Sequence, residues 1–423
     1  MLVLCASCVH KEALKQDRFA IRIPQEPLMS INIIDRNGLT ETVSTKERLK
    51  MYEKVDFLSN QPYKQVLRVW KKNKEGTNFS IMTSYHSNGE LKQCLEVENG
   101  RAHGKYIEWF PNGQKKLEAY VVGGTAALDE KAQATWAFDK TSVAWDAEGN
   151  LVAKINYSKG LLEGTTTYYY TTGAVQKSTP YVQGEIEGEY IVLYTNGAVC
   201  EKTTYHHGLK EGLSEGFWED GKPMWREEWK VDLLENGDYY TQEGTVSTVV
   251  KNGGGWRSFF EEGSLTETRQ YAHGKEEGEV QCLRNGSIVS RYHLHDGLKH
   301  GEEIRYWPSR DGTLTPRLSI LWNEGQIQGT VKTWYENGVL ESSREMSQNK
   351  KQGLLMAWYC NGSVMLIEEY EQDVLKRGDY LKKDNKVAVS KVANGSGIAT
   401  FFDKQGNFLK KVTYVEGKPQ DDE

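Results

Sequence analysis

Residues 334–338 are Trp334-Tyr335-Glu336-Asn337-Gly338, and residues 358–362 are Trp358-Tyr359-Cys360-Asn361-Gly362. In both stretches an aromatic pair is followed by two further residues and then by a glycine. The two glycines stand 24 residues apart. Because Asn-Gly supplies the positive φ angle of a tight hairpin turn, each stretch predicts a strand that ends in a turn.

The same spacing recurs along most of the chain. Gly149, Gly173, Gly197 and Gly221 follow one another at intervals of 24 residues. A fixed period of this length indicates a repeat architecture. The predicted turn glycines are Gly89, Gly113, Gly149, Gly173, Gly197, Gly221, Gly263, Gly286, Gly338, Gly362 and Gly406.

Each unit has a second half marked by two glycines four residues apart, such as Gly184 and Gly188 or Gly297 and Gly301. We expect a connection there, where the backbone bends or approaches a neighbour. One hairpin alone is marginally stable in water, so successive hairpins must bury their aromatic sides against each other. The predicted fold class is therefore mainly β, an elongated array of tandem antiparallel hairpins that forms a twisted ribbon.

The pattern resembles the MORN repeat in its bacterial variant form. Tyr85 to Gly89, Trp334 to Gly338 and Trp358 to Gly362 match it best, and the resemblance covers about residues 80 to 418. It implies a ribbon of meandering hairpins. Bacterial members are described as antitoxin-like or as surface repeat proteins, and other members are linked to lipid headgroups and to scaffolding. The resemblance implies no catalytic residue.

The rest of the chain departs from the repeat. A capping box at Ser44 to Glu47 predicts the start of a helix. We predict that the non-repeat segment caps the first repeat, with a separate recognition module as the alternative. A broken repeat indicates a bend, a binding surface or sequence drift. The expected organisation is a tail over 1–20, an α/β cap over 21–75 with a hairpin and a helix over 45–58, an array over 76–418 with an insertion at about 124–143 and degenerate units near 232–255 and 373–397, and an acidic tail over 419–423.

The N-terminal residues Leu4-Cys5-Ala6-Ser7-Cys8 are similar to the end of a bacterial lipoprotein signal. One interpretation is a lipid on Cys8, which anchors the protein to a membrane outside the cytoplasm. The other is a short tail on a cytoplasmic protein. No run of about eighteen apolar residues occurs, so we predict no membrane-spanning helix.

Composition narrows the function further. The net charge is −6 without a basic stripe, so nucleic acid is not an expected partner. The cysteines are scattered singly, so no disulfide framework is expected. His293, His295 and His300 lie close in sequence, yet equivalent positions in other units explain them as polar decoration. We therefore predict no metal and no cofactor.

Paired carboxylates such as Glu227-Glu228, Glu302-Glu303 and Glu368-Glu369 are the residues that glycoside hydrolysis requires. They recur at equivalent positions in many units, so we interpret them as one solvated face that discourages aggregation. No nucleophile, zinc or phosphate-loop motif occurs in the sequence. We predict that the protein is not an enzyme.

The aromatic pairs divide into two predicted roles. We assign the second aromatic to packing, because a thin array needs one aromatic from each pair in its core: Tyr170, Tyr194, Trp218, Phe260, Trp307, Tyr335, Tyr359 and Phe402. The first aromatic then points to the other face, so the predicted binding-face residues are Trp109, Tyr169, Phe217, Phe259, Trp334 and Trp358.

Three functional hypotheses follow. The first is a non-catalytic repeat scaffold that binds a protein or surface partner, with lipidated Cys8 as a membrane anchor. The second, implied by the resemblance alone, is an antitoxin-like cytoplasmic protein that neutralises a toxin. The third is a carbohydrate-binding or carbohydrate-active protein, for which the sequence offers no unique constellation.

Overall fold

A computed structural model describes residues 21–308 and 312–420. Strands account for 62% of the chain and helices for 3%. The strands pair antiparallel with their neighbours in sequence, so the predicted class of tandem hairpins is confirmed. The chain divides into two compact units. The first covers residues to Glu211 together with Glu219–Gly221, and the second covers Gly212–Trp218 and the residues from Lys222 onward.

The first unit contains two helices and fifteen strands within residues 21–211. The helices are α1 (Lys46–Tyr52) and α2 (Glu130–Gln133), and the strands are β1 (Leu28–Ile34), β2 (Thr40–Val43), β3 (Gln65–Trp70), β4 (Phe79–Tyr85), β5 (Leu91–Glu98), β6 (Arg101–Trp109), β7 (Lys115–Gly123), β8 (Ala137–Trp145), β9 (Leu151–Ser158), β10 (Leu161–Leu162), β11 (Gly164–Tyr169), β12 (Val175–Val182), β13 (Glu185–Ile186), β14 (Gly188–Leu193) and β15 (Val199–His206).

Strand β16 (Leu209–Phe217) contains residues of both units. The strands that follow belong to the second unit. They are β17 (Pro223–Lys230), β18 (Leu233–Tyr240), β19 (Val246–Lys251), β20 (Gly254–Glu261), β21 (Ser264–Ala272), β22 (Lys275–Arg284), β23 (Ser287–His295), β24 (Leu298–Lys299), β25 (Gly301–Tyr306), β26 (Pro316–Asn323), β27 (Gln326–Trp334), β28 (Leu340–Ser347), β29 (Lys350–Trp358), β30 (Val364–Glu371), β31 (Val374–Leu381), β32 (Ala388–Ala393), β33 (Ser396–Phe402), β34 (Phe408–Val415) and β35 (Lys418–Pro419).

The helix expected over 45–58 is shorter, since α1 ends at Tyr52. The predicted capping box does not form. Thr45 is the residue that caps the helix, and its side chain makes no capping hydrogen bond. With the helix beginning at Lys46, Glu47 is the second helical residue, one position too early to bond back to the cap. In the insertion, Asp129 caps α2 and accepts a hydrogen bond from the Ala132 amide.

The turn after most aromatic pairs is a three-residue loop that ends in a left-handed glycine. In the hairpin β27–β28, the Tyr335 amide donates to the Val339 carbonyl and the Gly338 amide donates to the Tyr335 carbonyl, each at 2.9 Å. Gly338 has a φ of +80°, and the strand register shifts at Trp334. This is a type I turn with a glycine bulge, and the shift turns the aromatic pair relative to the rest of the strand.

The connection expected at the glycine pair is a hairpin turn. Its first glycine belongs to a second hairpin turn, of two residues, with positive φ at both positions. His207 and Gly208 have φ angles of +50° and +78°, as a type I′ turn requires. The predicted turn glycines Gly263 and Gly286 also lie in two-residue turns, after Glu262 and Asn285. Three-residue and two-residue loops therefore alternate along most of the array.

The two degenerate units are complete hairpins, β18–β19 and β31–β32. In each, three hairpin tips are hydrogen-bonded to one another. The Leu234 amide donates to the Gly274 carbonyl, and the Gly274 amide donates to the Gly253 carbonyl, at 3.0 and 2.9 Å. The second copy repeats this closure with Leu375, Gly417 and Gly395 at 3.2 and 2.8 Å. The two degenerate units thus lie where three hairpin tips are hydrogen-bonded to one another.

Those closures coincide with compact apolar clusters of the second unit. One cluster contains Leu234, Tyr239, Val250 and Tyr271. The other is its counterpart in the later copy, with residues that include Leu375, Tyr380 and Val392. In the first unit, the largest cluster joins α1 to strands β1, β3 and β4. In a repeat array, each unit normally buries apolar side chains only against its neighbours. Here the hydrogen-bonded hairpin tips concentrate the buried apolar side chains of the second unit in these two clusters.

Replacing Gly255 with alanine should destabilise the second unit more than replacing Gly338. Both glycines have positive φ, but a Cβ on Gly255 would lie 2.2 Å from the Val249 carbonyl oxygen, whereas nothing lies within 4 Å at Gly338. We expect a loss of about 1–2 kcal/mol for Gly338→Ala and about 3 kcal/mol for Gly255→Ala, measured as the free energy of unfolding in urea. Equal losses would contradict the close approach at Gly255.

Candidate functional site

The second aromatic of a pair reaches the next hairpin and donates a hydrogen bond to it. The Tyr335 hydroxyl donates to the Trp358 carbonyl at 2.8 Å, and the Tyr359 hydroxyl donates to the Leu381 carbonyl at 2.7 Å. Trp307 does the same through its indole nitrogen, at 2.9 Å from the Trp334 carbonyl. These bonds join the residue at one turn to the strand end that precedes the next turn, so they hold successive turns at a fixed spacing.

Turn asparagines add a second set of bonds between units. The side-chain amide of Asn88 donates to the Pro111 carbonyl at 2.8 Å, and that of Asn337 donates to the Cys360 carbonyl at 3.0 Å. Asn112 reaches Ala147 at 2.7 Å, although the insertion separates these two residues by 35 positions. The turn-to-turn contact is therefore kept across the insertion.

The predicted binding-face aromatics do not form one cluster. Trp109 is buried in the core of the first unit, with 6% of its surface exposed. Phe259 lies under two guanidinium groups, those of Arg257 and Arg269, at 4.8 and 4.6 Å. Half-buried positions are occupied by Tyr169, Phe217, Phe259, Trp334 and Trp358.

The aromatics assigned to packing occupy two environments. Trp218, Tyr335 and Tyr359 are buried. The half-buried members are Tyr170, Tyr194, Phe260, Trp307 and Phe402. Two of the aromatics assigned to packing, Trp307 and Tyr335, line a groove in the second unit, whereas the predicted binding-face aromatics do not.

A groove of about 610 Å³ lies in the second unit beside Trp307 and Tyr335. Its aromatic wall is positioned by the hydrogen bonds that those two residues make to the next hairpins. The Arg317 guanidinium covers the Trp307 ring at 5.0 Å. The remaining lining residues are Leu318, Thr333, Glu336, Asn337, Glu341, Cys360 and Lys404.

The charges of the groove are of both signs. Arg317 and Lys404 contribute cations, and Glu336 and Glu341 contribute carboxylates. Within residues 21–308 and 312–420, none of these four side chains takes part in an ion pair. Burial, and then the Glu341 charge, raise the pKa of Tyr335 to about 12, so its hydroxyl keeps the proton that it donates to the Trp358 carbonyl. The groove therefore offers an ordered aromatic wall and four charges that have no ion-pair partner among the described residues.

The expectation that the paired carboxylates form one solvated face is wrong for three of them. Glu227, Glu303 and Glu368 are 1%, 2% and 4% exposed. Alternation along a strand explains the difference, because adjacent residues point to opposite faces. One member of each doublet therefore faces inward, while Glu228 and Glu369 point to the other side.

Each buried carboxylate is engaged by donors. Glu227 accepts from Arg257 at 2.7 Å and from the Tyr239 hydroxyl at 2.8 Å. Burial opposes ionisation of Glu303, but its bonds from Lys299 and Arg305 outweigh burial and lower its pKa. These groups act as internal anchors, since a buried charge is tolerated when it is paired.

Glu368 has a different set of donors. It accepts from the hydroxyls of Tyr370 and Tyr380, at 3.0 and 2.7 Å. Burial, followed by the Glu368 charge, raises the pKa of Tyr380 well above its usual range. Both tyrosines therefore keep the protons that they donate to the carboxylate.

The histidines stabilise hairpin tips. His295 Nδ1 lies 2.6 Å from Glu277, whose other oxygen accepts from the Asp296 amide at 3.0 Å. His206 and Glu187 repeat this arrangement at 2.6 Å. The described residues contain no group of three or more His, Cys, Asp or Glu side chains placed to hold a metal ion. In this part of the chain Cys94, Cys200, Cys282 and Cys360 are free thiols.

Two segments of the chain match a known repeat family. Residues 102–122 and 327–347 match the MORN repeat variant. The resemblance drawn from the aromatic and glycine spacing is confirmed in these two segments. The first MORN segment covers β6, its turn and β7, and the second covers β27, its turn and β28. A MORN match in this chain thus corresponds to one hairpin closed by the three-residue turn.

Other comparisons add little to the MORN match. No curated protein matches the chain. A porin-like protein from Bacteroides uniformis is 11% identical, covering 70% of this chain and 96% of its own, at a TM-score of 0.15; a likeness this weak carries no argument. Among the described residues, no helix has the length and apolar character needed to cross a membrane. Cys8, the predicted lipid attachment site, lies outside them.

Removing the Tyr170 hydroxyl should destabilise the first unit, whereas removing the Tyr169 hydroxyl should not. Tyr170 donates to the Leu193 carbonyl at 2.7 Å, and this bond ties two turns together. We expect Tyr170→Phe to lower the free energy of unfolding by about 1 kcal/mol. Tyr169→Phe is the matched control, because it removes the same atom from the adjacent residue. Similar losses in both variants would show that the inter-turn bond contributes nothing.

His295 should titrate above the ordinary histidine value of about 6.5. The hydrogen bond that His295 donates to the Glu277 carboxylate, and then the Glu277 charge, raise the His295 pKa. The resulting stabilisation is present below the ordinary value and disappears as pH rises through the raised pKa. Glu277→Gln should return the pKa toward its ordinary value, observed by NMR titration of the ring protons. A His295 pKa that does not change in Glu277→Gln would exclude this pairing.

Proposed function

We propose that this chain is a non-catalytic repeat scaffold whose second unit binds a protein partner in the groove beside Trp307. The observation that carries the proposal is the coincidence, in one groove, of an ordered aromatic wall with four charges that form no ion pair within residues 21–308 and 312–420. Aromatic and arginine side chains are the ones that most often supply binding energy at protein interfaces.

The mixed charges support a protein partner over a uniform polymer. A nucleic acid presents only anions to its binder, and Glu336 and Glu341 would repel it. The Trp307 ring has the Arg317 guanidinium over it at 5.0 Å, so its covered face does not offer the open stacking platform that a sugar needs. A peptide segment carries both signs of charge and backbone amides, and such a segment satisfies all four groups.

The inter-turn hydrogen bonds support tight recognition. Trp307 and Tyr335 are each held at one end by the backbone and at the other by a side-chain bond to the next hairpin. A wall that is ordered before binding loses little conformational entropy when the partner arrives. Arg317 is likewise held against an aromatic ring, which keeps its donors oriented.

A photo-crosslinking residue at Glu336 should form an adduct with a protein partner in the cells that naturally produce the chain. The same residue at Thr171, the equivalent exposed turn position of the first unit, should form no adduct of that size. The double variant Arg317→Ala, Lys404→Ala should lower the affinity of the identified partner about tenfold, measured by titration of the purified proteins.

The control for charge removal is Lys410→Ala, Lys411→Ala, which deletes two exposed cations outside the groove of the same unit. It should leave the affinity unchanged. An equal loss of affinity in both double variants would show that the groove charges contribute only a nonspecific charge effect. An adduct with polysaccharide in place of protein would overturn the proposal.

A further inference from the structure

Six Asn-Gly pairs lie in three-residue turns that have the same backbone. In each turn the glycine amide donates to the carbonyl of the residue three positions before it, at 2.8 to 3.1 Å. The glycine has a φ between +80° and +89°, and the asparagine side chain is exposed. The six asparagines are Asn37, Asn88, Asn112, Asn196, Asn337 and Asn361.

The next turn holds four of these asparagines by their side-chain amides. Asn88, Asn112 and Asn337 donate from Nδ2 to backbone carbonyls at 2.8, 2.7 and 3.0 Å. Asn361 donates to a side chain, the Asp384 carboxylate, at 2.7 Å. In these four residues, which we call the held asparagines, the carboxamide rotates only if a hydrogen bond to the next turn breaks.

Asn37 and Asn196 lack the bond to the next turn. Neither Nδ2 atom has a hydrogen-bond partner within residues 21–308 and 312–420. The Asn196 side-chain oxygen accepts from the Ala198 amide at 2.8 Å, and the oxygens of the held asparagines accept from the equivalent amide. At Asn37 the equivalent amide, that of Leu39, donates to the Asp35 carboxylate at 2.8 Å. Asn196 thus differs from the held asparagines only in its free Nδ2.

We propose that Asn37 and Asn196 are sites of spontaneous deamidation, and that the bond to the next turn protects the held asparagines. The backbone nitrogen of the following glycine attacks the side-chain carbonyl carbon of the asparagine. A nitrogen–carbon bond forms and the bond from that carbon to Nδ2 breaks. The glycine N–H proton leaves with Nδ2 as ammonia. Water then opens the resulting succinimide to aspartate or isoaspartate, and it is the only co-reactant.

The reaction requires a carboxamide that is free to turn. Glycine has no side chain to hinder the approach of its nitrogen, so the orientation of the carboxamide controls the attack. Its carbon must rotate toward the glycine nitrogen, and a bond from Nδ2 to the next turn opposes that rotation. Because the six pairs share their glycine, their turn and their exposure, this bond is the feature that separates them.

The remaining Asn-Gly pairs have another backbone geometry. In the two-residue turns the asparagine itself has a positive φ, and Asn236 lies within strand β18. Their reactivity therefore does not bear on the bond between three-residue turns.

Deamidation changes both the charge and the geometry of a turn. The product carries a carboxylate in place of a neutral amide. Isoaspartate also inserts one more carbon atom into the main chain of a turn that closes over three residues. The two sites are the β1–β2 turn and the β14–β15 turn, so the modification alters two hairpins of the first unit.

Peptide mapping of the full chain by mass spectrometry, after incubation in warm and mildly alkaline buffer, measures the deamidation rate at each pair. Each native rate is divided by the rate of the same pair in urea, which removes the influence of sequence neighbours. On this scale Asn37 and Asn196 should react at least about fivefold faster than the held asparagines. Equal ratios at all six pairs would overturn the proposal.

Asn361 allows a direct test because a side chain accepts its bond. Asp384→Gly removes that acceptor, and glycine suits the φ of +60° at this position. Asn361 should then deamidate about fivefold faster. Asn337 is the internal control, since its acceptor is a backbone carbonyl and its rate should not change. An Asn361 rate equal to that of the wild type would show that the bond gives no protection.

Asp384→Asn is the matched control variant. It removes the same charge as Asp384→Gly but keeps an oxygen that accepts the bond from Asn361, so Asn361 should stay protected. Equal acceleration in both variants would assign the effect to the lost charge and contradict the proposal. The ratio of native to urea rates in the wild type needs no substitution, so it decides the question even if a variant does not fold.

Discussion

The hydrogen bond from the second aromatic of a turn to the next hairpin is the contact on which the array depends. A left-handed glycine places the aromatic pair at the turn, and the Tyr335 or Tyr359 side chain then crosses to the next strand end. This bond adds to the strand pairing between neighbouring hairpins and to the asparagine bonds between their turns. The groove beside Trp307 exists because the same bond holds its wall.

The buried charged side chains of this sheet have two kinds of environment. Glu227 on β17 accepts from Arg257 on β20, and Glu303 accepts from Lys299 on β24 and from Arg305 on its own strand, β25. Such closed pairs keep the interior specific without exposing a reactive group. Arg68 differs from these two carboxylates: it is buried in the core of the first unit, and two of its nitrogens have no hydrogen-bond partner among the described residues.

The hairpins could be predicted because their signals are local. Asn-Gly and the glycine pairs dictate turns within a few residues, and alternation then assigns the faces. The paired carboxylates could not be assigned, since both members of Glu227-Glu228 have the same chemistry and only the register decides which is buried. The burial of Arg68 was not predicted, although the alternation from Val66 to Trp70 places it with the apolar residues of β3.

The sequence by itself determined the turns, the period and the mainly antiparallel fold, because each follows from φ angles and side-chain spacing within one or two hairpins. Tertiary structure alone decided which residues meet. Trp307 and Lys404 line one groove although nearly a hundred positions separate them, and Phe57 packs on Arg68 only because the segment after α1 returns over β3. Contacts of this kind depend on how strand tips close in space, and no local pattern encodes that closure.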